Sequence, residues 1–147
     1  MGEHDFGGDR RVARVMDVVR TVARRLIKAD GVTFVLRDRD RCFYVEEDAI
    51  GPLWKGRSFP AKDCVSGWVI EHGVPAIIPD IYEDPRVPQD AYQPTFVRSM
   101  AMIPVGSPAF GAIGAYWGTR HEATRDEIET LIAIADSALI QVEPQTR

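Results

Sequence analysis

The chain has 147 residues, of which 45% are hydrophobic and 27% charged, as expected for one globular domain with a substantial core. Its formal net charge of −4 argues against a general nucleic-acid binder, and no apolar run approaches the roughly 18 residues of a membrane span. The two cysteines, Cys42 and Cys64, have no CxxC spacing, so we expect reduced thiols in a cytoplasmic protein.

The N-terminal part of the chain predicts a tail and then a helix. Residues 1–9 are polar and Gly-rich without the apolar core of a signal peptide, and predict a disordered tail. Apolar residues at helical spacing predict an amphipathic helix over Arg10–Lys28, ended by Asp30-Gly31. Seven basic residues and the single acid Asp17 occupy its other face. That face is a nucleic-acid arm, a solvated surface or the complement of an acidic neighbour.

The middle of the chain alternates short predicted elements with loops. In order they are two strands of a hairpin, a loop, a helix of about two turns, a brief buried strand and an irregular Pro-rich segment: Val32–Arg37 and Cys42–Glu46, Asp48–Lys62, Val65–Glu71, Ala76–Ile78 and Asp80–Pro94. Gly73 is the expected C-terminal cap of the short helix.

The most apolar stretch lies near the C-terminus and predicts the central hairpin. Strands over Ser99–Val105 and Phe110–Trp117 are joined by a Gly-Ser-Pro turn, and strands this apolar are usually covered on both faces. Gly111 and Gly114 either relieve twist or bulge the strand, or let a ligand or a helix approach the backbone.

A capping box formed by Thr124 and Glu127 opens a last helix that runs to about Val142. Between Glu122 and Glu143 there are six acids and one base, so this helix complements the basic first helix. We expect the two terminal helices to pack together on one face of the sheet, within one chain or across a dimer. The positions expected at such an interface are Val15, Val19, Leu131 and Ile132.

Four motifs in order carry a family resemblance: Val65-Ser-Gly-Trp68, Ile78-Pro-Asp-Ile81 with Asp84-Pro-Arg86, Thr95-Phe-Val-Arg-Ser-Met100 and Gly111-Ala-Ile-Gly-Ala-Tyr-Trp117. Over residues 10–142 the chain resembles the sensory GAF modules of bacterial HWE-type two-component sensor histidine kinases. The resemblance implies an α/β (α+β), GAF/PAS-like fold. A mostly antiparallel sheet of about six strands would carry the N- and C-terminal helices on one face. The Asp80–Pro94 segment and the Val65 helix would cover a small-molecule pocket on the other. The implied GAF domain is 10–143, followed by a tail at 144–147.

The function implied by the resemblance is a non-catalytic small-molecule sensory or regulatory module in bacterial signal transduction. Such modules commonly form homodimers through their terminal helices and continue into a kinase or other output domain. This sequence holds no output domain, so it is either an excised module or a stand-alone protein. Two alternatives remain open: a structural dimerisation module without ligand, and a thiol redox enzyme that uses Cys42 or Cys64.

This sequence lacks the residues that other GAF proteins use for bilin attachment and for methionine sulfoxide reduction. The segment that holds a bilin-attaching cysteine in some of them, Asp90–Phe96, has none here, so no covalent bilin is expected. Reductases of free methionine sulfoxide need a Val-Cys-Gly turn, where this chain has Val65-Ser66-Gly67. The three histidines, His4, His72 and His121, are isolated, and no metal site is predicted.

The candidate ligand-binding set combines aromatic and thioether side chains with polar anchors, because small-molecule sites join apolar walls to a few polar groups. Its members are Trp68, Asp80, Tyr82, Tyr92, Phe96, Arg98, Met100, Met102 and Trp117. Asp80 either caps the next turn or contacts the ligand. Arg98 either binds an acidic ligand group or pairs with Asp80 or Asp90. Asp80, Asp84 and Arg86 form either an ion-pair cluster or plain turns. The ligand itself is not predicted.

Overall fold

A computed structural model describes residues 8–140 as one antiparallel sheet between two layers. The strands are β1 (Gly31–Asp38), β2 (Arg41–Ala49), β3 (Ser58–Pro60), β4 (Ala76–Ile78), β5 (Ser99–Val105) and β6 (Gly111–Trp117), in the order β3-β2-β1-β6-β5-β4. The helices are α1 (Arg10–Val18), α2 (Arg24–Ile27), α3 (Val65–His72), α4 (Gln89–Tyr92) and α5 (Arg125–Ile140). A π-helical turn, Val19–Ala23, joins α1 to α2, and 3₁₀ turns lie at Ala61–Asp63 and Ile81–Glu83. Within this part of the chain no helix has the length and apolar character to cross a bilayer.

The central hairpin is confirmed: β5 and β6 pair antiparallel in an unbroken register from Ser99↔Trp117 to Val105↔Gly111. The two strand glycines serve close packing rather than a bulge. A Cβ on Gly114 would lie 2.5 Å from the Tyr116 hydroxyl oxygen, and one on Gly111 would lie 2.6 Å from the Val35 carbonyl oxygen. Larger residues at either position would therefore displace the core side chains or the neighbouring strand.

The terminal helices lie on the same face of the sheet, as predicted, and share one apolar cluster with β1, β5 and β6. Val15, Val19 and Leu131 have no exposed surface, so of the two predicted arrangements these three residues take the one within a chain. They form the protomer's own core because their helical stripe faces the sheet. Ile132 remains exposed.

The basic face of the first helix pairs with the sheet. Arg20 contacts Glu46 at 3.2 Å and Arg24 contacts Asp48 at 3.3 Å, both carboxylates lying in β2. The acidic neighbour predicted for this helix is therefore supplied in part by β2. The two terminal helices meet through apolar side chains.

The residues that cap the first helix differ from those that the sequence predicted. Asp9, assigned to the tail, is the N-cap of α1, and its carboxylate accepts hydrogen bonds from the Arg11 and Val12 amides. The helix ends within one residue of the predicted range, at Ile27, but its C-cap is Lys28, in the left-handed conformation with φ 57°, and not Asp30-Gly31. Gly31 begins β1, where a Cβ would come within 3.0 Å of Ala49 and Phe96. The predicted tails at 1–7 and 144–147, and the helix end near Val142, lie outside the described residues.

The predicted loop Asp48–Lys62 contains more structure than its Gly and Pro residues indicated. β2 continues to Ala49 after a bulge, because Phe34 pairs with Glu46 and Val35 with Tyr44, which leaves Val45 as the extra residue. Ser58–Pro60 then adds the edge strand β3 against β2. The bulge puts Glu46 and Glu47 next to the segment 53–55, which closes the face opposite the terminal helices.

Candidate ligand-binding site

The sheet face opposite the terminal helices has an aromatic interior. Strand alternation directs Tyr44 and Tyr116 into it, and Tyr92 enters from α4. The Tyr116 hydroxyl lies 2.9 Å from the Thr33 hydroxyl, and the Tyr92 hydroxyl donates to the Met100 sulfur at 3.4 Å. α3 and the loops around β3 and β4 cover these side chains, which form one buried cluster with Met102.

Trp54 fills the centre of this interior. Its indole ring lies 4.5 Å from the Tyr92 ring and 5.4 Å from the rings of Tyr44 and Tyr116, measured between centroids. The side chain is only 1% exposed, and its indole N–H donates to the Ala91 carbonyl at 2.9 Å. A side chain of the protein therefore occupies the space in which the sequence predicted a ligand.

Two adjacent glutamates hold the Trp54 loop, which we define as residues 53–55. The Glu47 carboxylate accepts hydrogen bonds from the Leu53 amide at 3.1 Å and from the Trp54 and Lys55 amides at 2.9 Å each. Glu46 pairs with Lys55 at 2.8 Å. Burial opposes ionisation of Glu46, but Lys55, the Glu47 amide and Arg20 hold its pKa below the ordinary value. The bulge in β2 thus provides two anionic anchors for one loop.

The phenols of the interior remain protonated at neutral pH. Burial raises the pKa of Tyr44, Tyr92 and Tyr116 above the ordinary value of a phenol. The tyrosines of the interior therefore offer neutral hydroxyl groups and aromatic faces, which suit an apolar, planar molecule with few polar atoms.

The polar anchors predicted for the pocket form a separate cluster near the surface. Asp80 pairs with Arg98 through two contacts of 3.1 Å and with Arg120 at 3.0 Å, and it caps the turn Ile81–Glu83 through the Tyr82 amide. The Arg98 side chain, opposed by burial and aided by the Tyr82 amide and Arg120, lowers the pKa of Asp80 to about 2. Both structural interpretations of Asp80 are therefore present at once, and the partner of Arg98 is Asp80.

Arg86 pairs with Asp84 and does not join Asp80 in the predicted ion-pair cluster. Its amide and guanidinium both donate to Asp84, at 2.7 to 3.0 Å, and its guanidinium stacks 4.4 Å from the Trp68 ring. The segment Asp80–Pro94 is thus fixed by two ion-pair groups, one around each aspartate.

Comparison with known proteins identifies the fold. The family model for the GAF domain matches residues 11–142. The chain belongs to the GAF domain family. This family is a sensory and regulatory fold of signalling proteins. A comparison with curated protein sequences finds no match.

Solved structures with the same fold come from proteins of different activity. The GAF-B domain of DevS from Mycobacterium smegmatis has 20% identity, with 87% of this chain and 90% of that chain covered, at a TM-score of 0.68. The PixJ GAF domain of Thermosynechococcus elongatus, in its blue-light-absorbing form, has 18% identity, covers 90% and 84%, and has a TM-score of 0.72. A type II free methionine-R-sulfoxide reductase from Thermoplasma acidophilum has 13% identity, covers 88% and 92%, and has a TM-score of 0.72. At these identities the likeness concerns the fold alone.

The GAF domain brings only part of the predicted ligand set together. Tyr92, Met100 and Met102 lie in the aromatic interior, and Trp68 and Phe96 pack against its edge. Trp117 lies on the other face, in the cluster of the terminal helices, because residues 115 and 117 share that side of β6. Tyr82 is 64% exposed under the Arg98 guanidinium. Trp117 and Tyr82 are thus outside the interior, and Asp80 and Arg98 neutralise each other beside it.

Sequence reasoning missed four residues that define the interior of the GAF domain: Tyr44, Glu47, Trp54 and Tyr116. Strand alternation was enough to assign Tyr44 and Tyr116 to the same face as Met100 and Met102. Trp54 and Glu47 had no such signal. Trp54 lies in a Gly- and Pro-containing segment without hydrophobic periodicity, and the role of Glu47 depends on the bulge in β2.

A second surface of the GAF domain is apolar. A groove of about 390 Å³ between the first helix and α5 is lined by Val18, Val22 and Leu26 on one side and by Ala133, Ile134 and Ala138 on the other. Leu26 is 56% exposed. For residues 8–140, no three acidic, histidine or cysteine side chains converge as metal ligands would.

Proposed function

We propose that this GAF domain is a non-catalytic sensory module that binds a small molecule in the aromatic interior now filled by Trp54. It would act in the cytoplasm as the input module of a two-component sensor histidine kinase. The observation that carries the proposal is the position of the Trp54 indole, enclosed by three tyrosines but attached to an irregular loop. A loop held by two carboxylates and outside the strand ladder can leave more readily than a strand or helix.

The mechanism needs two states with different affinity for the ligand. In one state Trp54 occupies the interior, and in the other the Trp54 loop has moved out and the ligand takes its place. A ligand shifts this equilibrium only by its difference in affinity between the states. The chemistry of the interior favours a flat, largely apolar molecule with one hydrogen-bond donor, since Trp54 itself donates to the Ala91 carbonyl.

The terminal helices supply the output in this proposal. They pack on the sheet face behind the interior, where β5 and β6 contribute side chains to both clusters. A change in the interior would therefore reach the helix layer through two shared strands. The link to a histidine kinase and its output domain rests on the motif resemblance. The absence of an enzymatic role and of nucleic-acid binding is part of the same proposal.

The proposal is tested by thermal-shift screening of the wild-type protein with a library of planar metabolites. We expect a compound that raises the melting temperature and at the same time increases acrylamide quenching of tryptophan fluorescence, because Trp54 moves to solvent. The extra quenching should be absent in Trp54→Phe, which keeps Trp68 and Trp117 as reporters. If no compound stabilises the wild-type protein, the ligand proposal fails.

The apolar groove favours a second candidate function, a structural dimerisation module without ligand. Its proposed occupant is a second copy of the chain, because the basic first helix and the acidic α5 are complementary in charge when two copies meet through a twofold axis. Leu26→Glu and Ala133→Glu should then lower the molar mass measured by light scattering to that of a monomer. Ile50→Glu changes an exposed residue outside the groove and should leave it unchanged. Equal masses for all four proteins would reject this function.

A further inference from the structure

The two cysteines, 22 positions apart in the sequence, are brought together by the fold. Cys42 lies in β2 and Cys64 is the N-cap residue of α3. β3 pairs with β2 so that Phe59 lies opposite Cys42, and the Ala61 amide donates to the Asp40 carbonyl at 2.7 Å. The 3₁₀ turn that follows packs against β2, and the side chains of Cys42 and Cys64 meet in one buried cluster.

The two thiols differ in access to solvent. Cys42 is completely buried. Cys64 is 5% exposed and lines a surface cavity of about 210 Å³ together with Lys62, Trp68 and Arg86. The cavity therefore gives a small solute access to Cys64, whereas Cys42 has no exposed surface.

The hydrogen bonds around Cys64 favour its thiolate. The Cys42 thiol, the Ser66 hydroxyl at 3.2 Å and the Gly67 amide lower the pKa of Cys64 despite burial. The same contact with Cys64, together with burial, raises the pKa of Cys42. Of the two sulfurs, Cys64 therefore forms a thiolate more readily, and it is also the one that lines the cavity. The thiolate is the reactive form of cysteine.

We propose that Cys64 and Cys42 form a peroxide-reactive dithiol, with Cys64 as the attacking sulfur and Cys42 as the resolving one. The Cys64 thiolate attacks one oxygen of a small hydroperoxide, the O–O bond breaks, and the leaving hydroxide or alkoxide takes up a proton as water or alcohol. The sulfenic acid formed on Cys64 is then attacked by the Cys42 sulfur. An S–S bond forms, the S–O bond breaks, and the hydroxyl leaves as water with the Cys42 proton. The two sulfurs together lose two electrons, which the peroxide gains.

The reaction is tested with hydrogen peroxide on the full chain. In the wild-type protein we expect both thiols to be lost together and to return with dithiothreitol. Trypsin cleaves after Arg41, Lys55, Lys62 and Arg86, so the disulfide should appear as a cross-link between the peptides 42–55 and 63–86. The rate of thiol loss should rise with pH around a midpoint below the value of about 8.5 for a free thiol.

Three variants separate the roles of the two sulfurs. Cys42→Ser should react at Cys64 but stop at a sulfenic acid that dimedone traps, whereas Cys64→Ser should lose its remaining thiol at least about tenfold more slowly, since it lacks the thiolate. Ser66→Ala should keep both sulfurs and move the midpoint of the pH profile upward. Equal rates in Cys42→Ser and Cys64→Ser, a midpoint near 8.5 in the wild type, or disulfides only between chains would overturn the proposal. The wild-type peptide map tests it even if a variant does not fold.

Discussion

At the scale of single residues, the interior of this GAF domain depends on one carboxylate and one indole. Glu47 organises three successive amides of the Trp54 loop, and the loop in turn places Trp54 among the tyrosines. A buried amide that loses its acceptor retains the cost of its desolvation. The stability of the closed interior should therefore be sensitive to residue 47 although its side chain lies at the edge of the aromatic cluster.

Glu47→Gln should lower the free energy of unfolding by about 1 to 3 kcal/mol, because an amide group cannot accept at both positions as the carboxylate does. Urea denaturation measures this loss. Glu129→Gln is the matched control, since Glu129 forms only an exposed pair with Arg125 and should change stability by less than about 0.5 kcal/mol. Equal losses in the two variants would contradict the role given to Glu47.

The Asp80 cluster gives stability a defined dependence on pH. The pKa of Asp80 is lowered to about 2 in the folded protein, so its ion pairs contribute fully above the unfolded value near 4 and are lost as pH falls toward 2. Asp80→Asn keeps the N-cap function but removes the charge. Wild type and variant should therefore differ most in unfolding free energy above pH 4 and converge near pH 2. A difference that is constant from pH 2 to 7 would show that the ion pairs contribute nothing.

Sequence reasoning succeeded at residue scale where the signal was local. Asp80 as a cap and the Thr124–Glu127 capping box follow from residues three or fewer positions apart, and the structure contains both. The Asp80–Arg98 pair was one of the alternatives predicted for Arg98. The position of Trp54 and the meeting of Cys42 with Cys64 depend on contacts between distant segments. A pattern within one segment does not contain that information.

At the scale of elements, the strongest periodic segments were predicted best. β5, β6, α3 and the start of α5 have the predicted ranges to within one or two residues, since apolar pattern and cap agree there. The end of the first helix was also predicted to within one residue, but the residue that terminates it was not, because Lys28 adopts a left-handed conformation that Gly or Asn usually supplies. β3 was missed because three residues paired to an edge give no pattern of their own.

The capping box should contribute measurably to α5. The Thr124 hydroxyl accepts from the Glu127 amide at 3.1 Å, and the Glu127 carboxylate accepts from the Thr124 amide at 2.7 Å. Thr124→Ala should lower the unfolding free energy by about 1 kcal/mol. Thr130→Ala, inside the same helix, should be neutral or slightly stabilising because Ala has the higher helix propensity. If both variants behave alike in urea denaturation, the box does not stabilise the helix.

At the scale of the whole molecule, the sheet separates two layers of different character. The side with the terminal helices is mostly aliphatic, and the other side is rich in aromatic residues and closed by a loop. The order of layers was predictable from amphipathic patterns and motif order. The closure of the aromatic interior by Trp54 was not predictable, because a tryptophan in a loop does not indicate which face of the sheet it covers. The proposed signalling role connects these layers through β5 and β6.

The central claim is that the aromatic interior is a receptor volume that Trp54 fills and a small molecule can fill instead. Trp54→Ala tests it most directly, because the change should cost about 3 to 5 kcal/mol and leave an enclosed apolar cavity. We predict that millimolar indole raises the melting temperature of Trp54→Ala by about 3 °C or more, or restores its cooperative transition, while wild type and Trp68→Ala respond little. An equal response of all three proteins to indole, or none in Trp54→Ala, would contradict the account.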